Sequence, residues 1–122
     1  MKVLIIDDSR TMRRLLASYI ANVTSAIVEA EDGVQAMEQL LLNAPVDLAL
    51  VDWDMPRMNG LDFVKTVRAD PAFAEMKILM VTSHNTMEDV GQALEAGATD
   101  FLMKPMTEEM VTDKLRLLGM ID

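Results

Sequence analysis

The stretch of sequence from residue 47 to residue 60 reads Asp47-Leu-Ala-Leu-Val-Asp52-Trp-Asp-Met-Pro-Arg-Met-Asn-Gly60. Its apolar run from Leu48 to Val51 does not alternate with polar residues, which is typical of a strand buried on both faces of a parallel sheet. The turn-forming residues behind it predict that the chain leaves the sheet at Asp52 and then enters a helix. Asp52 is therefore expected at the edge of the sheet, where residues from other strands can join it.

Four further segments of the chain have a similar apolar character. We predict strands at Val3–Ile6, Ala26–Ala30, Lys77–Val81 and Phe101–Met103. Apolar residues at helical spacing follow each strand, and in the second helix we expect Val34, Met37, Leu40 and Leu41 on the inner face. Right-handed crossovers between five such units give an α/β fold, a single doubly wound (βα)5 domain with helices on both sides of a five-stranded parallel sheet.

Length and composition limit the function classes open to this chain. Its 122 residues, 51% of them hydrophobic, suit one core, and we expect a single domain over 1–122 with no output domain. A net charge of −9 argues against non-specific binding to nucleic acid or anionic membranes. The absence of cysteine excludes disulfides and thiol chemistry. Without a signal-peptide pattern or a long apolar run, we expect a cytoplasmic protein with no membrane insertion.

Polar residues follow four of the five predicted strands at their carboxyl ends. These residues are Asp7 and Asp8 after the first strand, Asp52 after the third, Thr82 after the fourth and Lys104 after the fifth. In open parallel sheets, ligands bind beyond these strand ends, at the point where the strand order reverses. We therefore expect the five side chains to share one pocket.

The residue types in this pocket predict its chemistry. Three neighbouring carboxylates raise one another's pKa unless a cation joins them, and an all-oxygen, highly charged site suits Mg²⁺. A carboxylate beside such an ion is a competent nucleophile for a phosphoryl group. The ammonium of Lys104 and the hydroxyl of Thr82 can bond phosphoryl oxygens. The sequence thus predicts that Asp52 forms an acyl phosphate, which water later hydrolyses.

The motifs Asp7-Asp8, Asp52, Thr82 and Lys104-Pro105, in this order and spacing, resemble the receiver domain of two-component response regulators over the whole chain. Within that family, longer segments are similar to stand-alone, CheY-like chemotaxis regulators. They read Asp-Asp-Ser-Arg-Thr-Met-Arg-Arg, Asp-Trp-Asp-Met-Pro-Arg-Met-Asn-Gly, Met-Val-Thr and Lys-Pro-Met-Thr. The resemblance implies a flavodoxin-like sheet in the order 2-1-3-4-5, which is the order known for flavodoxin and CheY.

The resemblance also implies the roles of the acidic residues. A CheA-like sensor histidine kinase would phosphorylate Asp52. Asp8, Asp52 and the backbone carbonyl of Asp54 would hold Mg²⁺, while Asp7 would act mostly through water. The protein would not be a dedicated enzyme, although it would catalyse its own phosphorylation and dephosphorylation.

A second set of roles concerns the signal that leaves the site. Thr82 would move to the phosphoryl group and the ring of Phe101 would turn inward behind it, with a cis bond between Lys104 and Pro105. The output face would comprise the fourth helix, fifth strand and fifth helix, with adaptable contacts from Met87, Met106 and Met110. It would bind a downstream protein such as a flagellar motor switch protein or a phosphatase, and we expect a monomer.

The sequence departs from the common family pattern at three positions. Phe101 lacks the hydroxyl of the tyrosine that is common there. Asp54 and His84 occupy two variable positions that tune phosphoryl lifetime in this family. His84 could steer or exclude water, and Asp54 could repel the carboxylate of an incoming phosphatase.

Other functions remain open at this point. Asp52-Trp-Asp54 also fits the Asp-x-Asp of Mg²⁺-dependent phosphatases of the haloacid dehalogenase type, although there the motif follows the first strand of a longer chain. A flavodoxin-like electron carrier is disfavoured because Asp7 and Asp8 would repel the cofactor phosphate. A phosphorelay intermediate, which passes its phosphoryl group to another histidine, stays open.

Overall fold

Five strands and five helices alternate along the chain, as the sequence predicts. The computed structural model describes residues 1–122. The strands are β1 (Lys2–Ile6), β2 (Ala26–Ala30), β3 (Leu48–Asp52), β4 (Lys77–Thr82) and β5 (Asp100–Met103). The helices are α1 (Arg10–Ile20), α2 (Gly33–Asn43), α3 (Gly60–Arg68), α4 (Met87–Ala96) and α5 (Glu108–Leu117). The strands form one parallel sheet in the order β2-β1-β3-β4-β5, which confirms the predicted fold and strand order.

Each of the five helices begins at a side chain that accepts a hydrogen bond from a backbone N–H in the first turn. The capping residues are Ser9, Asp32, Asn59, Thr86 and Thr107. Such caps satisfy N–H groups that have no partner within the helix. The caps fix where each helix begins after the preceding strand.

The sheet separates the hydrophobic core into two clusters. Along β1, Leu4 and Ile6 pack in one cluster while Val3 and Ile5 pack in the other, because successive side chains point to opposite faces. All five residues of β3 are buried because both faces of the sheet are covered. The non-alternating apolar run of β3 is therefore explained by two covered faces, as predicted.

Helix α2 packs differently from the prediction at one position. Leu40 is fully buried, but Leu41 is 75% exposed, so its placement on the inner face was wrong. Consecutive helical residues are separated by about 100°, and once Leu40 faces the sheet its neighbour must turn away. The exposed leucine does not make α2 a membrane helix, since no helix in this structure has the length and apolarity needed to cross a bilayer.

The loop after β3 folds back tightly on the strand end. The N–H of Gly60 donates a hydrogen bond to the carbonyl of Trp53 at 2.8 Å. A Cβ atom at this position would collide with the carbonyl oxygen of Asp52. Gly60 is required because only a residue without a side chain permits this close backbone approach.

Candidate functional site

Lys104 joins two buried carboxylates at the carboxyl edge of the sheet. Its Nζ lies 3.1 Å from Oδ1 of Asp52 and 3.4 Å from Oδ2 of Asp7. Asp52 ends β3, Asp7 follows the neighbouring β1, and Lys104 follows β5. The structure therefore brings together three residues that are far apart in sequence, as the strand topology predicts.

Asp8 completes a cluster of three carboxylates. One oxygen from each of Asp7, Asp8 and Asp52 lies within 4.8 Å of the other two. Asp7 accepts a hydrogen bond from the N–H of Ser9 at 2.8 Å with its second oxygen, whereas exposed Asp8 has no hydrogen-bond partner in the chain. This set of oxygen donors, with one free carboxylate, fits a hard divalent cation such as Mg²⁺.

The ionisation of this pocket is governed by burial. Burial raises the pKa of Asp52, and the charge of Asp7 raises it further, while Lys104 opposes both effects only in part. Burial also raises the pKa of Asp7 despite the bonds from Ser9 and Lys104. For Lys104, burial would lower the pKa, but the two carboxylates outweigh it and the pKa is raised. The pocket thus holds more negative charge than one lysine balances, which favours an added cation.

Thr82 lies at the end of β4, beside the pocket and almost completely buried. Its hydroxyl oxygen accepts a hydrogen bond from the backbone N–H of His84 at 2.9 Å. Its carbonyl accepts another from the backbone N–H of Lys104 at 2.9 Å. The hydroxyl donates no hydrogen bond within the chain, so its proton is available to a group that enters the pocket.

Phe101, the predicted partner of Thr82 in switching, is half-buried on β5 and packs against one core cluster. Nζ of Lys114 lies 5.8 Å from the centroid of its ring. The ring also lines a groove of about 460 Å³ between α4 and β5. The other residues that line it are Asn85, Met87, Val90, Gly91, Leu94 and Met103. A change in the position of the Phe101 ring would therefore change the shape of this groove.

His84 does not lie free in its loop but contacts Asp54, the other variable position, and Asp89. Its Nε2 is 2.9 Å from Oδ2 of Asp54, and its Nδ1 is 3.1 Å from Oδ2 of Asp89. Its ring stacks on that of Trp53, with centroids 4.5 Å apart and an angle of 18° between the planes. Sequence reasoning did not identify Asp89 or Trp53. The available signals were the single tryptophan next to Asp52 and an acidic residue five positions after His84.

We expect the pKa of His84 to lie above its ordinary value of 6.5. Partial burial would lower the pKa, but the hydrogen bonds and charges of Asp54 and Asp89 outweigh burial. Because folding favours the protonated ring, this contribution to stability is complete below pH 6.5 and is lost as pH rises through the raised pKa of the folded protein. An NMR titration of this single histidine measures the shift. Replacing Asp54 with asparagine should lower the pKa, and an identical titration curve would contradict the assignment.

Two predictions about the connection after β5 have different outcomes. The bond between Lys104 and Pro105 is cis, which confirms the prediction. Met106, in contrast, was wrongly placed among the exposed contacts, since it is buried and packs in the core cluster that contains Val111 and Leu115. Met87 and Met110 are exposed, as expected. Met106 directly precedes Thr107, the capping residue of α5, and its apolar side chain is covered by this cluster.

Comparisons with known proteins agree with this geometry. Residues 3–116 match the response regulator receiver domain. The chain is 42% identical over 119 residues to chemotaxis protein CheY1 of Helicobacter pylori, with 97% of this chain and 96% of that protein covered. It is 40% identical over 116 residues to the chemotaxis protein CheY homolog of Campylobacter jejuni, with 94% and 89% covered.

A solved structure agrees as well. The chemotaxis response regulator CheY4 of Vibrio cholerae superposes with a TM-score of 0.88 at 31% identity, covering 96% of this chain and 97% of that one. The fold, the site and the sequence similarity thus support the same family assignment. The chain belongs to the response regulator receiver domain family, as a CheY-like receiver.

Proposed function

We propose that this protein is a phosphorylation-activated switch in which Asp52 accepts a phosphoryl group from a CheA-like histidine kinase, in the control of chemotaxis and the flagellar motor. The observation that carries the proposal is the bonding of one lysine, Lys104, to both Asp7 and Asp52 inside a cluster of carboxylates. The chemotaxis proteins at about 40% identity support the assignment to motility. The protein is a signalling component and not a dedicated enzyme, because the group it activates is its own side chain.

The carboxylates would hold Mg²⁺ in a defined division of roles. Asp8 and Asp52, with the backbone carbonyl of Asp54, would bind the ion directly, and Asp7 would act through water because both of its oxygens already have partners. When bound, the ion supplies positive charge that offsets repulsion between Asp52 and the phosphoryl oxygens.

The phosphoryl transfer uses groups that the structure places around Asp52. A carboxylate oxygen of Asp52 attacks the phosphorus of a phosphohistidine, so that a P–O bond forms as the P–N bond breaks and the imidazole nitrogen leaves with the electron pair. The Lys104 ammonium, already 3.1 Å from Oδ1 of Asp52, stabilises charge on one phosphoryl oxygen. The Thr82 hydroxyl, which donates no hydrogen bond within the chain, donates one to another phosphoryl oxygen. Attack of water on phosphorus later restores the carboxylate and releases phosphate.

Phosphorylation alters the site through charge. The acyl phosphate carries about two negative charges in place of the one on the carboxylate, if it resembles other phosphorylated side chains, so the charge next to Thr82 and Lys104 becomes more negative. Thr82 moves towards this charge, and the Phe101 ring turns inward and reshapes the groove between α4 and β5. Exposed Met87 and Met110 on α4 and α5 then provide adaptable contacts for a motor switch protein or a phosphatase.

Two measurements test this proposal. Incubation with a phosphorylated histidine kinase should give one base-labile acyl phosphate per chain, and beryllofluoride should tighten binding to a flagellar motor switch peptide. Steady turnover of a small phosphomonoester would favour a phosphatase instead. Transfer of the phosphoryl group onward to another histidine would favour a phosphorelay intermediate. Equal peptide binding with and without beryllofluoride would contradict the motor assignment.

Asp54 and His84 are expected to set the lifetime of the acyl phosphate. Because the two side chains bond each other, Asp54→Asn and His84→Ala should each change the rate of acyl-phosphate loss, and their effects should not add. Loss of one such bond corresponds to a change of about two- to ten-fold in rate. Timing the decay of the labelled single and double variants measures this, and unchanged rates would remove the lifetime role.

A further inference from the structure

Three separate parts of the chain meet at the ring of His84. Trp53 and Asp54 come from the connection between β3 and α3, His84 from the connection between β4 and α4, and Asp89 from the first turn of α4. Asp54 and Asp89 occupy the two ring nitrogens, and Trp53 covers one ring face. The imidazole is therefore contacted on three sides by groups from two other parts of the chain, the connection between β3 and α3 and the first turn of α4.

The two carboxylates that bind this ring are not equivalent. The side chain of Asp54 is 73% exposed, whereas that of Asp89 is 30% exposed, as is that of His84. Water competes more strongly for an exposed ion pair, so the contact with Asp89 restrains the ring more than the contact with Asp54 does. Asp89 is also anchored by a regular helix, because its backbone N–H bonds the capping hydroxyl of Thr86 at 3.1 Å.

The restraint on His84 reaches Thr82 through the backbone. The N–H of His84 donates to the Thr82 hydroxyl at 2.9 Å. A Thr82 side chain that turns towards a phosphoryl group must leave this N–H, or the connection that carries His84 must move with it. Any group that holds His84 in place therefore resists both movements.

We propose that Asp89 is a positioning residue for the phosphorylation of Asp52 and for the loss of the phosphoryl group. By holding His84 against Trp53, it keeps the connection between β4 and α4 closed over one side of the pocket. This inference rests on the proposed function. It adds a direct contact between α4, which belongs to the output face, and the residues next to the phosphorylation site.

The structure offers a matched pair of substitutions to test this role. Asp89→Ala removes the contact with His84, whereas Glu88→Ala removes the same charge from the same exposed helix turn without touching the ring. We expect Asp89→Ala to speed both phosphorylation by a small-molecule phosphodonor and decay of the acyl phosphate, by about two- to ten-fold. Glu88→Ala should match the unmodified protein. Equal rates in the two variants would overturn the proposal.

A spectroscopic measurement reads the position of the ring without any phosphorylation. Trp53 is the only tryptophan, so its fluorescence reports directly on the stacked His84. Asp89→Ala should change this fluorescence, Glu88→Ala should not, and Asp89→Asn should restore it because the amide oxygen still accepts a hydrogen bond from Nδ1. An unchanged spectrum in Asp89→Ala would overturn the proposal even if the rates differ.

A double-variant cycle separates positioning from a general effect on the helix. If Asp89 acts through His84, then Asp89→Ala should change neither rate in a chain that already carries His84→Ala. A persistent effect in that background would overturn the proposal. Failure of the unmodified protein to form any acyl phosphate would instead overturn the proposed function, and the fluorescence measurement would still decide whether Asp89 positions the ring.

Discussion

Asp52→Asn is expected to incorporate no phosphoryl group from a histidine kinase or from a small-molecule donor. The amide lacks the anionic oxygen that attacks phosphorus. Asp52 is the carboxylate that ends the central strand β3, with Nζ of Lys104 at 3.1 Å. Labelling followed by mild alkaline hydrolysis measures the acyl phosphate. Full incorporation into the variant would show that another residue is the acceptor.

The same substitution is expected to stabilise the metal-free protein at neutral pH. Burial and the charge of Asp7 raise the pKa of Asp52, so the folded protein binds this proton more tightly than the unfolded chain does. Stability therefore falls as pH rises through the raised pKa, and above it the ionised carboxylate opposes folding. Removing that charge in Asp52→Asn should raise the melting temperature at pH 7 in the presence of a chelator.

In the presence of Mg²⁺, the unmodified protein should instead have a higher melting temperature than Asp52→Asn. At a concentration of a hundred times its dissociation constant, a ligand that binds only the folded state adds about 2.7 kcal/mol to the free energy of unfolding. The unmodified protein should gain this stability, and Asp52→Asn should gain much less because it has lost one ligand. Asp113→Asn, at an exposed pair with Arg116, is the control. It should change neither the melting temperature with a chelator nor the stability gained with Mg²⁺. A chelated Asp52→Asn protein that melts below the unmodified one would contradict the account.

Lys104→Met is expected to have the largest effect on stability. It removes the one ammonium that bonds Asp7 and Asp52, and leaves two buried carboxylates without a counter-charge. Breaking a buried pair in this way costs about 3 kcal/mol or more, and the low end applies because 23% of the Lys104 side chain is exposed. Urea unfolding at pH 7 without a divalent cation measures this loss.

The pH dependence of that loss provides a further check. The deficit should shrink towards pH 5, because the carboxylates left behind in Lys104→Met bind protons more readily and their charge disappears. Lys65→Met removes an exposed lysine on α3 and should leave stability nearly unchanged. A deficit that is the same at pH 7 and pH 5 would mean that Lys104 stabilises the fold by packing alone.

The parts of the fold that depend on local pattern could be predicted from the sequence. Two covered faces make β3 apolar at every position, and this pattern also predicts that Asp52 lies at the strand end. Parallel topology then brings Asp7 and Lys104 to the same edge, 97 residues apart in the chain. The short 3-10 helix at Pro71–Phe73 was not predicted, because three residues give no periodic signal.

The parts that depend on the path of a loop could not be predicted. The contact between His84 and Asp89 requires that the chain turn back after β4, which the four intervening residues do not specify. Met106 was misplaced because its direction follows from the entry of the chain into α5. Leu41 was misplaced because a run of three leucines does not show which of them faces the sheet.

The ammonium that lies between Asp7 and Asp52 has a consequence for the unphosphorylated protein when no divalent ion is bound. A tethered positive charge never diffuses away, so departure of a divalent ion would not leave bare carboxylates facing each other. The pocket would then keep its arrangement while metal ions bind and leave. Only the binding of an ion would be needed before the next phosphoryl transfer. A fluctuating supply of magnesium in the cell would accordingly alter how fast the switch responds, while Lys104 continues to offset the charge of the two carboxylates.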